Sequence, residues 1–401
     1  MNSLLFALLR ALRNHSWLRL LAYAFVLSSL GNGLTQVVVF GQLLRWQASP
    51  TTLTLAWLFA TLPGFLGSLS GERLCRTISP LHLLLIYELL GLLALILPWL
   101  GLHLHNIPLL LAVQSVESLL GGMAWPALAV TFKRGLSEAE LPAATAMENM
   151  IFASQVLLGT GMGVLLFGRV SPQVLLLVDA LSFVIAAWLL GLASQRIVIR
   201  PDVQQPTTMP SLRWARLNSI QKRSLLLLPS LAAVGAPAMA LLPALAQQMR
   251  PEETTGLALP LLFSRSLGQL CGPMMLNSRK MPEYTRRNYL LLGCLALFLL
   301  AYMLMPALSA YTGAALAAIF IAHLASNVVF ALGTFDVLYQ FDEQEVSGAS
   351  AKAWRWQTIS ATCATSVTVL LTGKIGAIYT LWCVSFCSLI LVSGILFRYR
   401  N

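Results

Sequence analysis

Apolar runs of about twenty residues alternate with short polar intervals along almost the whole chain. The runs are apolar on every side of a helical projection, as in helices that face lipid, rather than on one stripe. Twenty residues is the length that a hydrocarbon layer of about 30 Å asks of a helix. The pattern predicts twelve such spans. In the first half they lie near 20–43, 51–70, 80–101, 107–131, 143–167 and 172–193, and in the second near 224–246, 256–276, 288–306, 309–334, 351–373 and 377–397. One long polar interval, 194–223, separates the two sets. It holds Arg196, Arg200, Arg213, Arg216, Lys222 and Arg223 against the single acid Asp202, with Pro201, Pro206 and Pro210. Such a segment buries too little apolar surface to fold alone and reads as a linker. The expected organisation is therefore all-α: a six-helix bundle over 1–193, a basic linker over 194–223 and a second six-helix bundle over 224–401.

Composition agrees with a chain that has the lipid bilayer as its solvent. Of the 401 residues, 57% are hydrophobic and 10% are charged, against about 25% charged in soluble domains. The net charge of +11 raises nucleic acid as a partner, but the bases sit in short intervals between apolar runs and form no basic helix, which excludes it. Their placement is a topology signal instead. With both termini cytoplasmic, 21 of the 26 Lys and Arg fall on the inside and four outside, leaving Arg265 within a span. This predicts a multi-pass protein of the cytoplasmic (inner) membrane. The basic trio Arg10, Arg13 and Arg19 precedes an apolar run too long for a signal peptide, so that run is expected to remain as the first span. The six cysteines show no CxxC and no Cys/His ligand spacing, so neither a metal site, a disulfide framework nor a cofactor is expected.

Several stretches carry a family resemblance. The loop after the second span reads Gly67-Ser-Leu-Ser-Gly71-Glu72-Arg73-Leu-Cys-Arg76. It resembles the inside-loop signature of the major facilitator superfamily, with Glu where Asp is usual. The resemblance implies a gate in which Gly71 and its neighbours let spans 2 and 11 approach closely, while Glu72, Arg73 and Arg76 latch and release. Span 5 carries Gly159, Gly161 and Gly163, similar to the glycine-rich antiporter motif, and small residues at this spacing permit tight helix packing. Together with Trp125-Pro126-Ala127 and Asp179-Ala-Leu-Ser-Phe183, these stretches resemble the third drug–proton antiporter subfamily, which includes macrolide efflux proteins and the enterobactin exporter. The resemblance is best over 20–193. It implies twelve transmembrane helices in two pseudo-symmetric bundles, working as a monomer. Gly31-Asn32-Gly33 stands where relatives often carry an acid, and Glu117 stands near the place of their span-4 arginine.

An ionisable group within a span is costly and is by default a site hypothesis. Glu117 and Glu148 are the proton-coupling candidates, because a carboxyl in a low-dielectric cavity can take and release protons through a cycle. For Glu117 the structural alternative is a protonated carboxyl bonded to a neighbouring helix; for Glu148 it is a gate or helix-end role. Glu88 and Asp179 read better as structural groups, Asp179 tying span 6 to its neighbours alongside the packing glycines. Arg265 requires an acid partner or an anionic ligand. Asn32, Gln36, Gln114, Gln269, His323 and Asn327 join Arg265 as candidate lining of one substrate cavity, since Asn32–Gln36 and His323–Asn327 each share a helix face.

The functional expectation is secondary active export of a medium-sized amphipathic small molecule, a siderophore or drug-like compound, driven by protons. No GxxxxGK[ST] is present for nucleotide. Import of a siderophore or other organic anion is the alternative. A polytopic membrane enzyme ranks third, for want of any Asp-x-x-x-Asp or paired His/Asp cluster at a span edge.

Overall fold

A computed structural model of the chain describes residues 3–48, 59–201, 212–249, 258–308 and 310–399. Helices are the only regular elements among them, and ten are long and apolar enough to cross a membrane. In chain order, α1 is Leu4–Asn14 and α2 is Ser16–Arg45. The described part of the second expected span is α3, Pro63–Leu74; the rest of that expectation, 51–58, lies outside the described residues. The third span is α4, Pro80–Ala94, followed by α5, Ile96–His103. It breaks at Leu95 because Pro98 offers no N–H to the carbonyl of Ala94. Next comes α6, Ile107–Gly135, capped by the Asn106 side chain, which accepts from the Leu109 N–H at 3.0 Å.

Span 5 is composite. Its α7, Leu141–Ala153, passes into a π-helix, Ser154–Thr160, and then into α8, Gly161–Leu166. The sixth span is α9, Pro172–Arg196. The second half holds α10 (Ser219–Met249), α11 (Ala258–Met274), the short α12 (Met281–Arg286), α13 (Asn288–Leu304), α14 (Thr312–Gln340), α15 (Val346–Ile375) and α16 (Ala377–Arg398). Residues 256–257 of the expected eighth span lie outside the described residues. At the linker, α9 runs to Arg196 and α10 begins at Ser219, so both ends of the 194–223 interval are helical; 202–211 lie outside the described residues.

Two compact units result. The first comprises Leu8–Ser211 with Asp342–Arg355, and the second Met1–Ala7, Leu212–Phe341 and Trp356–Asn401. The first ten residues of α15 thus group with helices of the sequence's first half.

Glycines set the closest approaches within the first unit. A Cβ on Gly67 or Gly71 would strike the backbone of Leu119 or Met123 on α6, and one on Gly122 would strike Gly64 of α3. The glycines around the loop signature therefore serve the α3–α6 contact, and a Cβ on Gly64 would also lie 3.5 Å from the Trp354 ring nitrogen of α15. In span 5, Gly159 meets Gly33 and the carbonyl of Leu30 on α2, and Gly163 meets Val37. Gly161 has nothing within 4 Å, so it is not a packing residue as expected. In the second unit, Gly268 and Gly272 of α11 lie against the backbone of α14 at Phe320 and Leu324.

Candidate functional site

The buried polar groups of the first unit converge on Asp179. This fully buried residue of α9 accepts hydrogen bonds from the Thr35 hydroxyl of α2 and, at 3.1 Å, from Ser182 one turn along its own helix. It fits because Gly31 has no side chain: a Cβ there would collide with the carboxylate. Asp179 thus ties α2 to α9, and its charge also acts on Glu88 of α4 and Glu117 of α6. Ser28 sits within hydrogen-bonding reach of Glu88. Gln114 donates to Glu117 at 3.5 Å, and one oxygen of each glutamate is buried without a hydrogen-bond partner. No basic side chain forms an ion pair with any of the three carboxyls among the described residues.

Of the expected proton pair, Glu117 is in this group, and the charge acting on it is Asp179 rather than Glu148. Glu148 is buried on α7. Asn32 and Gln36 are half-buried on α2, and the Asn32 Oδ1 has no hydrogen-bond partner. Glu88 and Thr35 carry more of the site than their sequence context signalled. Glu88 is embedded in a leucine run that looks the same whether it faces lipid or protein.

At the basic ends of the first unit's helices lies a set of ion pairs. Glu72 accepts from Arg355 of α15 at 3.0 Å and from Arg76 at 3.5 Å, and a Cβ on Gly348 would be 3.4 Å from its carboxylate. Arg73 is exposed. Arg134 stands 3.9 Å from Glu343 and donates to the carbonyl of Arg200 at 2.6 Å. Trp125 of α6 and Trp354 of α15 meet with ring centroids 4.9 Å apart and planes tilted by 33°, so Trp354 packs on protein. Sequence reasoning singled out Glu72, Arg73 and Arg76 but did not pair Glu72 with Arg355.

The second unit has two polar centres. In the first, Tyr302 of α13 and His323 of α14 share a 2.7 Å hydrogen bond, with the Phe298 ring set edge-on to His323 at 5.4 Å. Arg265 of α11 acts electrostatically on both. Gln269 lies one turn from Arg265 and is buried. Asn327 donates to the His323 carbonyl, a local bond within α14. The candidate cavity residues thus fall into separate groups, Asn32, Gln36 and Gln114 in one unit and Arg265, Gln269, His323 and Asn327 in the other. In the second centre, Arg223 of α10 donates to the carbonyls of Thr285 and Arg286 at 2.6 and 3.2 Å and acts on Asp336, which accepts from Gln340 at 3.1 Å. Both Arg223 and Asp336 are buried. Arg223, which the sequence reading placed at the end of the linker, lies within the first turns of α10. Asp336 lies just beyond the end expected for the tenth span, near 334, whereas α14 continues to Gln340.

No protein-family model matches the chain. An uncharacterized 29.9 kDa protein encoded in the crtE 3′ region of Pseudescherichia vulneris is 59% identical over 74 residues, 18% of this chain and 27% of that protein. The chain thus matches about a quarter of that curated relative's length. Solved structures align along nearly all of it. A bacterial homologue of the iron transporter ferroportin, in its outward-facing state, superposes with a TM-score of 0.72 at 15% identity, covering 96% of this chain and 98% of that one. FucP, a major facilitator superfamily transporter in the outward conformation, gives 0.68 at 15% identity, with 96% and 98% covered. The human organic anion transporter TETRAN gives 0.62 at 14%, with 94% and 99% covered. The chain has the major facilitator fold and is a multi-pass membrane protein.

Proposed function

We propose, with that fold as premise, that the chain is a secondary active transporter that exports a medium-sized amphipathic organic solute in exchange for protons. The fold supports transport as the activity; its halves characteristically expose a midplane site to the two faces of the membrane in turn. The structural relatives move unlike solutes, so the cargo class, siderophore or drug-like compound, rests on the resemblance of the first-half motifs to the third drug–proton antiporter subfamily.

What supports the proton is that Glu88 and Glu117 are buried within electrostatic reach of Asp179 and that, among the described residues, none of the three forms an ion pair. A charged carboxylate at mid-membrane costs about 2.5–3.5 kcal/mol on insertion scales. The group therefore holds protons while closed to water and releases them as a coupled set when water enters. The Glu72–Arg355 pair supplies a contact that breaks and reforms as one face opens.

Inverted membrane vesicles test both parts of the reading. With a pH gradient imposed and a catecholate siderophore or a macrolide supplied, wild-type vesicles are expected to accumulate solute and dissipate protons as they do so. Asp179→Asn should abolish the solute-dependent proton movement at unchanged protein level, and Glu117→Gln should impair it at least tenfold, an effect of about 1.4 kcal/mol or more. Retained gradient-driven movement in both variants sinks the proton site. Accumulation only in right-side-out vesicles would make the protein an importer.

A further inference from the structure

We propose that Arg265, with Gln269, Tyr302 and His323, forms a binding site for the anionic group of an organic anion. As a cargo site it rests on the transport reading; as a binding site it stands on the second unit alone.

Arg265 sits mid-way along α11, in the apolar stretch Ala258–Met274. Gln269 follows it by one turn on the same face. Gly268 lies between them and would place a Cβ 3.2 Å from the Cβ of His323, so this part of α11 is pressed onto α14. There the guanidinium acts on His323 and on Tyr302 of α13, which are bonded to each other at 2.7 Å. Arg265 and Gln269 can each donate a hydrogen bond, the Tyr302–His323 pair keeps one further donor beside the bond it shares, and none of the four carries a negative charge.

No acid among the described residues of the second unit pairs with Arg265. Among the described residues of the second unit the acids are Glu283 and Asp336. Glu283 pairs with Arg287, and Asp336 is held by Gln340 beside Arg223. Asp336 also lies 13 residues along α14 from His323, a rise of about 20 Å. The Arg265 Nε is buried without a hydrogen-bond partner, as are the Gln269 Oε1 and the His323 Nδ1. A guanidinium in an apolar span with no acid is a charge awaiting a ligand. Its planar, forked donors match a carboxylate, whose two oxygens can each accept. The Phe298 ring against His323 gives the site an apolar wall, so the solute expected is an aromatic or aliphatic acid.

The test is equilibrium binding to the purified full-length protein in nanodiscs, without a pH gradient, read as ligand-dependent thermal unfolding. The probes are 2,3-dihydroxybenzoate and its uncharged counterpart 2,3-dihydroxybenzamide. Wild-type protein is expected to bind the acid about tenfold more tightly than the amide, the contribution of a charge-assisted hydrogen bond. Arg265→Met should bring the two to within about twofold, and Arg265→Lys should keep part of the preference. Should Arg265→Met fail to fold, Gln269→Leu provides the second arm and should weaken only acid binding, about threefold. Equal binding of acid and amide by the wild type, binding of neither, or a preference that survives these substitutions overturns the site. Failure here leaves Asp179-dependent proton movement untouched, and loss of proton coupling leaves acid binding untouched.

Discussion

Asp179 and Asp336 show how much a single buried carboxyl depends on its surroundings. Asp179 is satisfied by two hydroxyls and a missing side chain at Gly31, and its Thr35 partner lies 144 residues away in the chain. Nothing local marks it, and its DALSF context reads equally well as packing. Asp336 instead shares its neighbourhood with Arg223, whose guanidinium closes the chain end of α12 through two carbonyls. Replacing Arg223 by Met removes both bonds and leaves Asp336 buried without its cation. A loss of about 3 kcal/mol is expected in denaturant unfolding. Arg223→Met combined with Asp336→Asn should recover part of it, since no lone charge then remains. Equal damage in single and double variants would mean that the two residues act independently.

Helix positions were legible because each run must be apolar throughout to enter lipid, and the caps and prolines then trimmed their ends. Helix faces were not legible, for the same reason. When lipid-facing and protein-facing sides are both apolar, periodicity carries no direction, so the partner of a glycine cannot be read from spacing. Spacing alone did not name α6 as the helix against which Gly67 and Gly71 lie. The assignment makes a sharp prediction. Gly67→Ala should cost about 1–3 kcal/mol through overpacking against the Leu119 backbone and lower the melting temperature by several degrees. Gly161→Ala, with nothing within 4 Å, should be neutral or slightly stabilising. The reverse order of stabilities would show that α3 and α6 do not touch where their glycines lie.

At the scale of the molecule, charge placement and the even division of spans pointed to the major facilitator fold before any coordinate did. The halving left out that Asp342–Arg355, late in the chain, groups with the first unit, where Arg355 and Glu343 meet Glu72 and Arg134. Long-range pairing of this kind comes from the fold and has no local signature. Glu72 and Arg355 are only 17% and 12% exposed, so solvent weakens their attraction less than at an open surface. A double-mutant cycle with Glu72→Gln and Arg355→Gln should give a coupling of about 1–3 kcal/mol in thermal unfolding. The charge-reversed pair, Glu72→Arg with Arg355→Glu, should restore much of the wild-type behaviour. A coupling indistinguishable from zero would remove the latch.

The wide-wound stretch Ser154–Thr160 gives span 5 some slack. A π turn accommodates a surplus residue relative to regular winding, so the chain there is effectively one amino acid too long. Shortening it by deleting Leu157 should let the segment relax into ordinary α-helix and still yield a folded protein by size-exclusion chromatography. The parts of span 5 on either side should keep their facing, because the wide turn had taken up the surplus residue without rotating them. The same excision at Ala325, inside the regular α14, has no spare residue to absorb it and should give no folded product.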